Sequence, residues 1–499
     1  YKACVSAWTM QNGEKVYVTY QLDHKWSFKR LYDADYVVVT CKELIDPSPI
    51  PTDVSIIDTL AETEHNFANI LTGKLSGVNG LIESVTITIT DENGKQMQKG
   101  SARAPRNTNS ATNHTMVVDL SQLRYESPMK ILGTINPQLL GVGKYHCQID
   151  CKMYSGQVIE KVRDYDFTVT AEDLPTKWVD NSNISDKFAE GTTMAVCPVC
   201  GGNPVEWTAL GRIQSSKSLT AGGHYYLSGD LLANGSHYLI SGGTACVHLN
   251  GHNIKSAGRV FYASTSKGTF NLMGNGIVMG GNTETSRATL GFGSSTGVIN
   301  LYGGTYGHVG GSKAPTVQFE AAGKVNMYSG ATICKMGGDM GENINVNQGT
   351  FNMYGGLIAD GYDYVAGDSQ RGGNVVVGDG TETKATFNQY GGIISGGMAQ
   401  YAGNVYVNGS GAKFNMQDGE VYLGVGGVRD GQGSGGNIYI TGGATATLNG
   451  LIHYGKAAGQ DNYGGGNIIA RGSSKVTIGG TVLKGNGDND SDGTRNGSN

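Results

Sequence analysis

Two cysteines separated by two residues are the first candidates for chemistry in this chain. Cys197 and Cys200, in the stretch CPVCGG, form half of a zinc-knuckle pattern, because two thiolates at this spacing can bind one metal ion. Cys246, together with His224 or His248, can supply the missing ligands. The set Cys197, Cys200, His224 and Cys246 therefore predicts a structural zinc site, with disulfide bonds or free thiols as the alternatives.

Two further candidate sites lie near the ends of the chain. Cys4 and Cys41 lie on either side of the N-terminal stretch and are candidates for a disulfide bond. Three carboxylates at alternate positions, followed by a glycine, match the start of a calcium loop: Asp488, Asp490 and Asp492. Arg495 and Asn499 depart from the full loop pattern, so a solvated tail at 486–499 is the alternative.

The composition argues against two classes of partner. The formal net charge is −5 over 499 residues, and no concentrated basic face is visible, so we expect no nucleic-acid partner. No apolar run is long enough to span a bilayer. The sequence begins at Tyr1 without a Met or a signal peptide, which indicates a processed chain or a piece of a longer one.

Glycine divides the chain into two parts. Residues 1–200 contain 11 of the 79 glycines and residues 201–499 contain 68, whereas Pro315 is the only proline after Pro204. Many glycines with few prolines favour tight turns between strands that keep their backbone hydrogen bonds. We therefore predict a linker with the CPVC motif at 173–204 before a strand-rich domain at 205–485.

This C-terminal part repeats two short strand phrases. The phrase exemplified by TFNMYGG recurs at steps of 26 to 36 residues, with its apolar first position at Phe270, Ile299, Val325, Phe351, Phe387, Phe414, Ala446 and Val476. The second phrase, exemplified by GNVYVN, recurs at steps of 30 to 33 residues, with its asparagine at Asn343, Asn374, Asn404, Asn437 and Asn467. Short alternating strands locked to one period predict the coils of a right-handed parallel β-helix, about eight to ten in number.

Stacked coils place like residues on like. We expect an internal aromatic and aliphatic column from the first phrase and an amide ladder from the second phrase. Outward-facing tyrosines form a further column, which either stacks on itself under a covering loop or presents aromatic faces and amides to sugar rings. The candidate glycan-binding residues are Tyr302, Tyr328, Tyr354, Tyr390, Asn326 and Asn352.

The first part of the chain predicts smaller β domains. Residues 52–172 contain alternating strands, and Tyr145 lies two residues before Cys147, which is the spacing of a tyrosine corner. This segment resembles the immunoglobulin-like spacers of Gram-positive extracellular proteins. Residues 1–48 are strand-rich, and their fold is not identified by the sequence.

A wider resemblance covers residues 195–490. The phrases CPVCGG, HYYLSGD, CVHLNGHNI, LMGNGIVMGG and FNMYGG together resemble secreted β-helix proteins of gut Firmicutes, which have a pectate-lyase-like fold. The resemblance implies an all-β chain exposed at a bacterial cell surface. It implies no particular activity.

The repeats favour a non-catalytic role. Polysaccharide hydrolysis needs two facing carboxylates, and the stretch YGHVGG around His308 lacks companion acids. We therefore expect a β-helical stalk for adhesion to glycans or host surfaces, or for envelope structure. The alternatives are a self-assembling extracellular filament, in which the open last coil pairs head-to-tail with another chain, and a polysaccharide lyase or glycoside hydrolase.

Overall fold

The computed structural model describes most of the chain. The described residues are 3–11, 14–22, 53–103, 117–120, 140–170, 172–173, 178–212 and 215–485, the last range with gaps at 234, 241, 265–267, 282–286, 294–296, 310–313, 320, 337–340, 364–370, 379, 381–383, 428–433, 458–463 and 484. Their regular secondary structure is mostly strand, with three short 3-10 helices: Glu62–Glu64, Phe67–Asn69 and Ile184–Lys187. None of the helices in this part of the chain has the length and apolar character needed to cross a membrane.

Residues 231–483 form a parallel β-solenoid of about eight turns, which confirms the predicted parallel β-helix. Each strand pairs in parallel with the equivalent strand of the next coil, because one period of sequence returns the chain to the same position. The pairing begins ahead of these turns, where Thr208–Leu210 lies beside His224–Leu227. Three sheets result.

Two neighbouring strand positions of each coil share one long sheet. Its first position comprises Thr208–Leu210, His224–Leu227, Gly243–His248, Gly268–Met273, Val298–His308, Lys324–Cys334, Gly349–Met353, Ala385–Gln389, Lys413–Met416, Thr445–Leu448 and Lys475–Ile478. Its second position comprises Leu231–Ala233, Ile254–Ser256, Ile277–Gly280, Leu357–Ala359, Ile393–Ser395, Glu420–Tyr422, Leu451–His453 and Thr481–Leu483. The strands Val298–His308 and Lys324–Cys334 run through both positions.

Two further sheets close the coils. The second sheet contains Lys217–Ser218, Tyr238–Ile240, Phe261–Ala263, Leu290–Phe292, Val317–Phe319, Ile344–Val346, Val375–Val377, Val405–Asn408, Ile438–Thr441 and Ile468–Ala470. The third sheet is short and contains Tyr362–Asp363, Met398–Ala399, Val425–Gly426 and Lys456–Ala457.

The core of the solenoid is the predicted internal column. The register pairs Phe351 with Phe387 and Phe387 with Phe414, and all three side chains are fully buried. The rings of Phe351 and Phe387 are parallel, with centroids 4.8 Å apart. Burial of one large side chain per coil at the same depth stabilises the stack, since each ring contributes apolar area to both neighbours.

The predicted amide ladder is also confirmed. Asn343, Asn374, Asn404, Asn437 and Asn467 are fully buried, and the Nδ2 of each of the first four donates to the Oδ1 of the next. The Nδ2 of Asn404 also donates to the carbonyl of Tyr422, and its Oδ1 accepts from the backbone N–H of Gly397. The ladder therefore satisfies buried backbone groups at a turn of every coil it passes.

The N-terminal region contains antiparallel sheets. One sheet has the order Gln96–Arg103, Ile82–Asp91, Gly143–Met153 and Val158–Val169, and a second has the order Ser55–Asp58, Lys74–Val78 and Val117–Asp119. Both contribute to one apolar core, and the hydroxyl of Tyr145 donates to the carbonyl of Gly141 at 2.9 Å. The immunoglobulin-like fold of 52–172 stays a prediction.

Two small hairpins complete the described strands. Ala3–Gln11 pairs with Glu14–Leu22, and Met194–Ala195 pairs with Val205–Glu206. Cys4 lies in the first of these strands, but Cys41 lies outside the described residues, as do Asp488, Asp490 and Asp492. The predicted disulfide bond and calcium loop therefore stay predictions.

The two asparagine positions of the coils predict different stability losses. Asn404 makes four buried hydrogen bonds, whereas Asn388, which follows Phe387 in the first repeated phrase, makes two partly buried ones. We expect Asn404→Ala to lower the free energy of unfolding by about 3 kcal/mol or more, because it leaves buried partners unsatisfied, and Asn388→Ala by about 1 kcal/mol. Denaturant titration of both variants measures this, and equal losses would contradict the assigned role of the buried ladder.

Candidate metal centre

A segment between the N-terminal region and the solenoid lies over the outward face of the first coils. We call residues 178–207 the covering segment. Its side chains Ile184 and Trp207 pack in one apolar cluster with Met273, Tyr302 and Tyr328 of the coils. The cover is therefore part of the solenoid's structure.

Polar contacts hold the covering segment in register with individual coils. The Oδ1 of Asn181 accepts from the backbone N–H of Gly274 at 2.7 Å, and its Nδ2 donates to the carbonyl of Tyr302 at 3.1 Å. The backbone N–H of Ser185 donates to the Oδ1 of Asn250 at 3.0 Å. These bonds place the CPVC turn opposite the first two coils.

The four residues of the predicted zinc set come together at this place. Cys197 and Cys200 lie in a turn of the covering segment, while His224 and Cys246 are register partners on adjacent coils. The ligand atoms of all four lie within 4.8 Å of one another. The geometry thus joins two parts of the chain that are far apart in sequence.

His224, rather than His248, is the histidine of this group. The Nε2 of His224 is buried and has no hydrogen-bond partner among the described residues. The Nε2 of His248 is likewise buried without a hydrogen-bond partner there, but His248 does not belong to the group whose ligand atoms lie within 4.8 Å of one another. Its Nδ1 accepts the backbone N–H of Asn250 at 3.0 Å, and burial lowers the pKa of His248 to about 4. The alternation of the strand places both Cys246 and His248 outward, so the sequence alone left the choice open.

The sulfur atoms are close without being bonded. The Sγ atoms of Cys200 and Cys246 are 3.5 Å apart, which is longer than the roughly 2.05 Å of a disulfide bond. Six cysteines are free thiols in this structure: Cys147, Cys151, Cys197, Cys200, Cys246 and Cys334. A tetrahedral zinc ion with bonds of about 2.3 Å to sulfur holds its sulfurs about 3.8 Å apart, close to the distance observed.

Hydrogen bonding favours a single thiolate in the group. The pKa of Cys197 is lowered to about 5, because its sulfur accepts a hydrogen bond from Cys246 and from the backbone N–H groups of Cys200 and Val199. The pKa of Cys246 is raised, first because it is that donor and second because it is buried. Burial also raises the pKa of Cys200.

A chain of asparagine side chains leads along the solenoid to the metal centre. Cys246 occupies, in its coil, the position that asparagine holds in the next six coils, and the Nδ2 of Asn271 lies 3.5 Å from the Sγ of Cys246. Each following amide donates to the one before it at 2.7–2.9 Å. The members of this asparagine chain are Asn271, Asn300, Asn326, Asn352, Asn388 and Asn415.

The link between Asn271 and Cys246 was not predicted from the sequence. The available signal was the spacing of 25 residues between them, close to the repeat period. All six amides donate in the same direction, so the positive ends of their dipoles face the sulfur.

The tyrosine column stacks on itself and is partly covered. Tyr302, Tyr328, Tyr354 and Tyr390 form three parallel contacts with centroid distances of 4.6, 5.2 and 4.9 Å. Tyr302 is 9% exposed and Tyr328 is 4% exposed, because the covering segment packs on them. Tyr390 is 36% exposed, so the accessible end of the column lies at Tyr354 and Tyr390. The amides of Asn326 and Asn352 are used within the asparagine chain.

Carboxyl groups with raised pKa values lie elsewhere on the solenoid. Burial raises the pKa of Asp360 to about 7, and burial together with the charge of Asp363 raises the pKa of Glu342 to about 7. The Oδ2 of Asp363 accepts the backbone N–H of Arg371 at 2.8 Å. The sequence did not single out Glu342, because Asp363, whose charge acts on it, comes from the following coil.

The comparisons with known proteins add no assignment. No protein-family model, no curated protein and no solved structure matches this chain.

The contacts of Asn181 predict a local effect on the covering segment. We expect Asn181→Ala to destabilise the cover by about 1–3 kcal/mol, because the N–H of Gly274 loses its acceptor. Hydrogen exchange should then accelerate in 178–207 and leave the coils beyond Phe387 unchanged. Asn183→Ala is the matched control, since the side chain of Asn183 makes no capping hydrogen bond to the 3-10 helix Ile184–Lys187 that follows it. Identical exchange in both variants would contradict the role given to Asn181.

Proposed function

We propose that this chain is a non-catalytic extracellular protein of a bacterial surface, in which the β-solenoid serves as a stalk for adhesion or envelope structure. The observation that carries the proposal is the use of the repeated polar side chains. In the amide ladder, the asparagine chain and the tyrosine column, each side chain contacts the side chain at the same position of the neighbouring coil. Such groups join coils to one another, which suits a stiff spacer.

The dimensions and the N-terminal region support this proposal. About eight coils at a spacing of about 4.8 Å make a rod of roughly 40 Å. The two antiparallel sheets around one core, with the Tyr145–Gly141 hydrogen bond, suit an immunoglobulin-like spacer ahead of it. We further propose the right-handed coil that parallel crossovers favour.

The accessible end of the tyrosine column supports an adhesive role. Tyr390 is 36% exposed and stacks on Tyr354, which is partly buried against the cluster of the covering segment. Aromatic faces pack well on the apolar faces of sugars. A glycan is therefore the ligand class that we propose for this face.

The last coil favours a second candidate, the filament. Ile478 is 53% exposed and Leu483 is 47% exposed. Among the described strands, Lys475–Ile478 and Thr481–Leu483 have partners only in the preceding coil. An open strand edge with apolar side chains pairs readily with another chain, and repeated head-to-tail pairing builds a filament.

Turnover and binding assays separate the stalk from an enzyme. Incubation with pectins, host glycans and plant fibres should give binding without unsaturated or reducing ends. Tyr390→Ala should lower retention on a bound glycan several-fold, since it removes the most exposed ring of the stack, whereas Tyr154→Ala, an exposed tyrosine of the N-terminal region, should not. Product release that disappears in Glu342→Gln would overturn the proposal and assign the enzyme alternative to the carboxyl groups around Glu342.

Light scattering tests the filament candidate. It predicts a mass that rises with concentration, and a return to the monomer mass in the double variant Ile478→Asp with Leu483→Asp, because charges at the edge oppose pairing. Leu232→Asp, an exposed leucine of an early coil, is the control and should still associate. If the protein without substitutions is a monomer at every concentration, the filament proposal is contradicted and the stalk proposal remains.

A further inference from the structure

We propose that Cys197, Cys200, His224 and Cys246 bind one Zn²⁺ ion, and that the asparagine chain beginning at Asn271 forms its outer shell. The ion would join the covering segment to the first two coils. This goes beyond the proposed surface role, and it does not depend on that role.

The donor set has the composition of a closed structural site. Three thiol sulfurs and one imidazole nitrogen make a four-ligand site, with no position left for a reacting water. Their mutual distances, within 4.8 Å, require only small movements to reach a tetrahedron around one ion. Sulfur-rich ligands favour zinc over magnesium or calcium, which bind oxygen.

Independent observations indicate that this group lacks a partner. The Nε2 of His224 is buried and makes no hydrogen bond within the described residues. Trp207 is almost fully buried and packs edge-on against the ring of His224, with centroids 5.3 Å apart. The indole N–H of Trp207 donates to the carbonyl of Ala195, so it forms no hydrogen bond with the Nε2 of His224. A bound cation supplies what the buried nitrogen lacks.

The asparagine chain explains why Cys246 stands in an asparagine position. In the later coils the amide Oδ1 at this position accepts from the next asparagine, and in the coil of Cys246 the sulfur accepts from Asn271 instead. Six amides pointing the same way place a partial positive charge next to the sulfur. Hydrogen bonds to metal-bound ligands orient them and commonly account for 10–100-fold in metal affinity.

The position of the site gives the ion a structural consequence. The covering segment buries Tyr302 and Tyr328 and reaches the coils through Asn181, Ser185 and the cysteine turn. A zinc ion at the end of this contact would hold the segment on the solenoid surface through its coordination bonds. Removal of the ion should therefore loosen the cover before it affects the later coils.

Metal analysis of the full chain, purified with reductant, tests the site itself. We expect one zinc per chain, and a visible absorption spectrum of tetrahedral thiolate coordination when cobalt(II) replaces it. Cys200→Ser should lose the ion, because the substitution removes one of the four ligands. The fold should persist, because Cys200 is exposed and contributes little to packing. Cys334→Ser, a buried cysteine outside the group, is the control and should keep one zinc.

The outer shell is tested by a matched pair of asparagines. Asn271→Ala should lower zinc affinity about 10–100-fold in competition with a chelator, as expected for loss of a hydrogen bond to a ligand. Asn388 is the fifth member of the asparagine chain, and Asn388→Ala should change the zinc affinity less than about threefold. Equal affinities in the two variants would overturn the outer-shell role of Asn271.

Hydrogen exchange of the protein without substitutions tests the structural role of the ion and does not require any variant to fold. Chelation of the metal should accelerate exchange in 178–207 and leave the coils beyond Phe387 protected. A chain that contains no zinc and takes up no cobalt, with all thiols reduced, would overturn the proposal. Mass spectrometry showing a Cys200–Cys246 disulfide in the freshly purified chain would overturn it as well.

Discussion

In-register parallel pairing between coils is the constraint on which the rest of this structure depends. Each coil offers its backbone N–H and carbonyl groups to the next coil at a fixed spacing, so a residue type that suits one coil suits the same position in its neighbour. The fully buried phenylalanines of the core and the buried amides from Asn343 to Asn467 follow from this repetition. A register shift of one residue would turn every apolar side chain outward and is strongly opposed.

The same constraint positions the candidate metal centre. Register alone places His224 next to Cys246 and Cys246 next to Asn271, on the outward face of neighbouring strands. The other two ligands come from the covering segment, whose own contacts with Gly274 and Asn250 fix its height along the solenoid. Secondary structure and a non-repeating segment thus contribute equal halves of one site.

The periodic features were predictable from sequence, and the non-periodic ones were not. The columns at Phe351 and Asn404 follow from spacing, because identical coils must stack at identical positions. The choice of His224 over His248 depends on how the covering segment crosses the coils, and so does the burial of Tyr328. Nothing periodic encodes that path, since it is determined by single contacts such as those of Asn181. Glu342 was also not predicted, because its neighbour Asp363 comes from the next coil.

X-ray diffraction at the zinc absorption edge tests the central claim, that coil register and covering segment together build a metal site, most directly. The account predicts one anomalous peak about 2.3 Å from the sulfurs of Cys197, Cys200 and Cys246 and about 2.0–2.1 Å from a ring nitrogen of His224. It also predicts the amide of Asn271 within hydrogen-bonding distance of Cys246. Absence of the peak, or an ion bound with Asn271 out of register with Cys246, would contradict it.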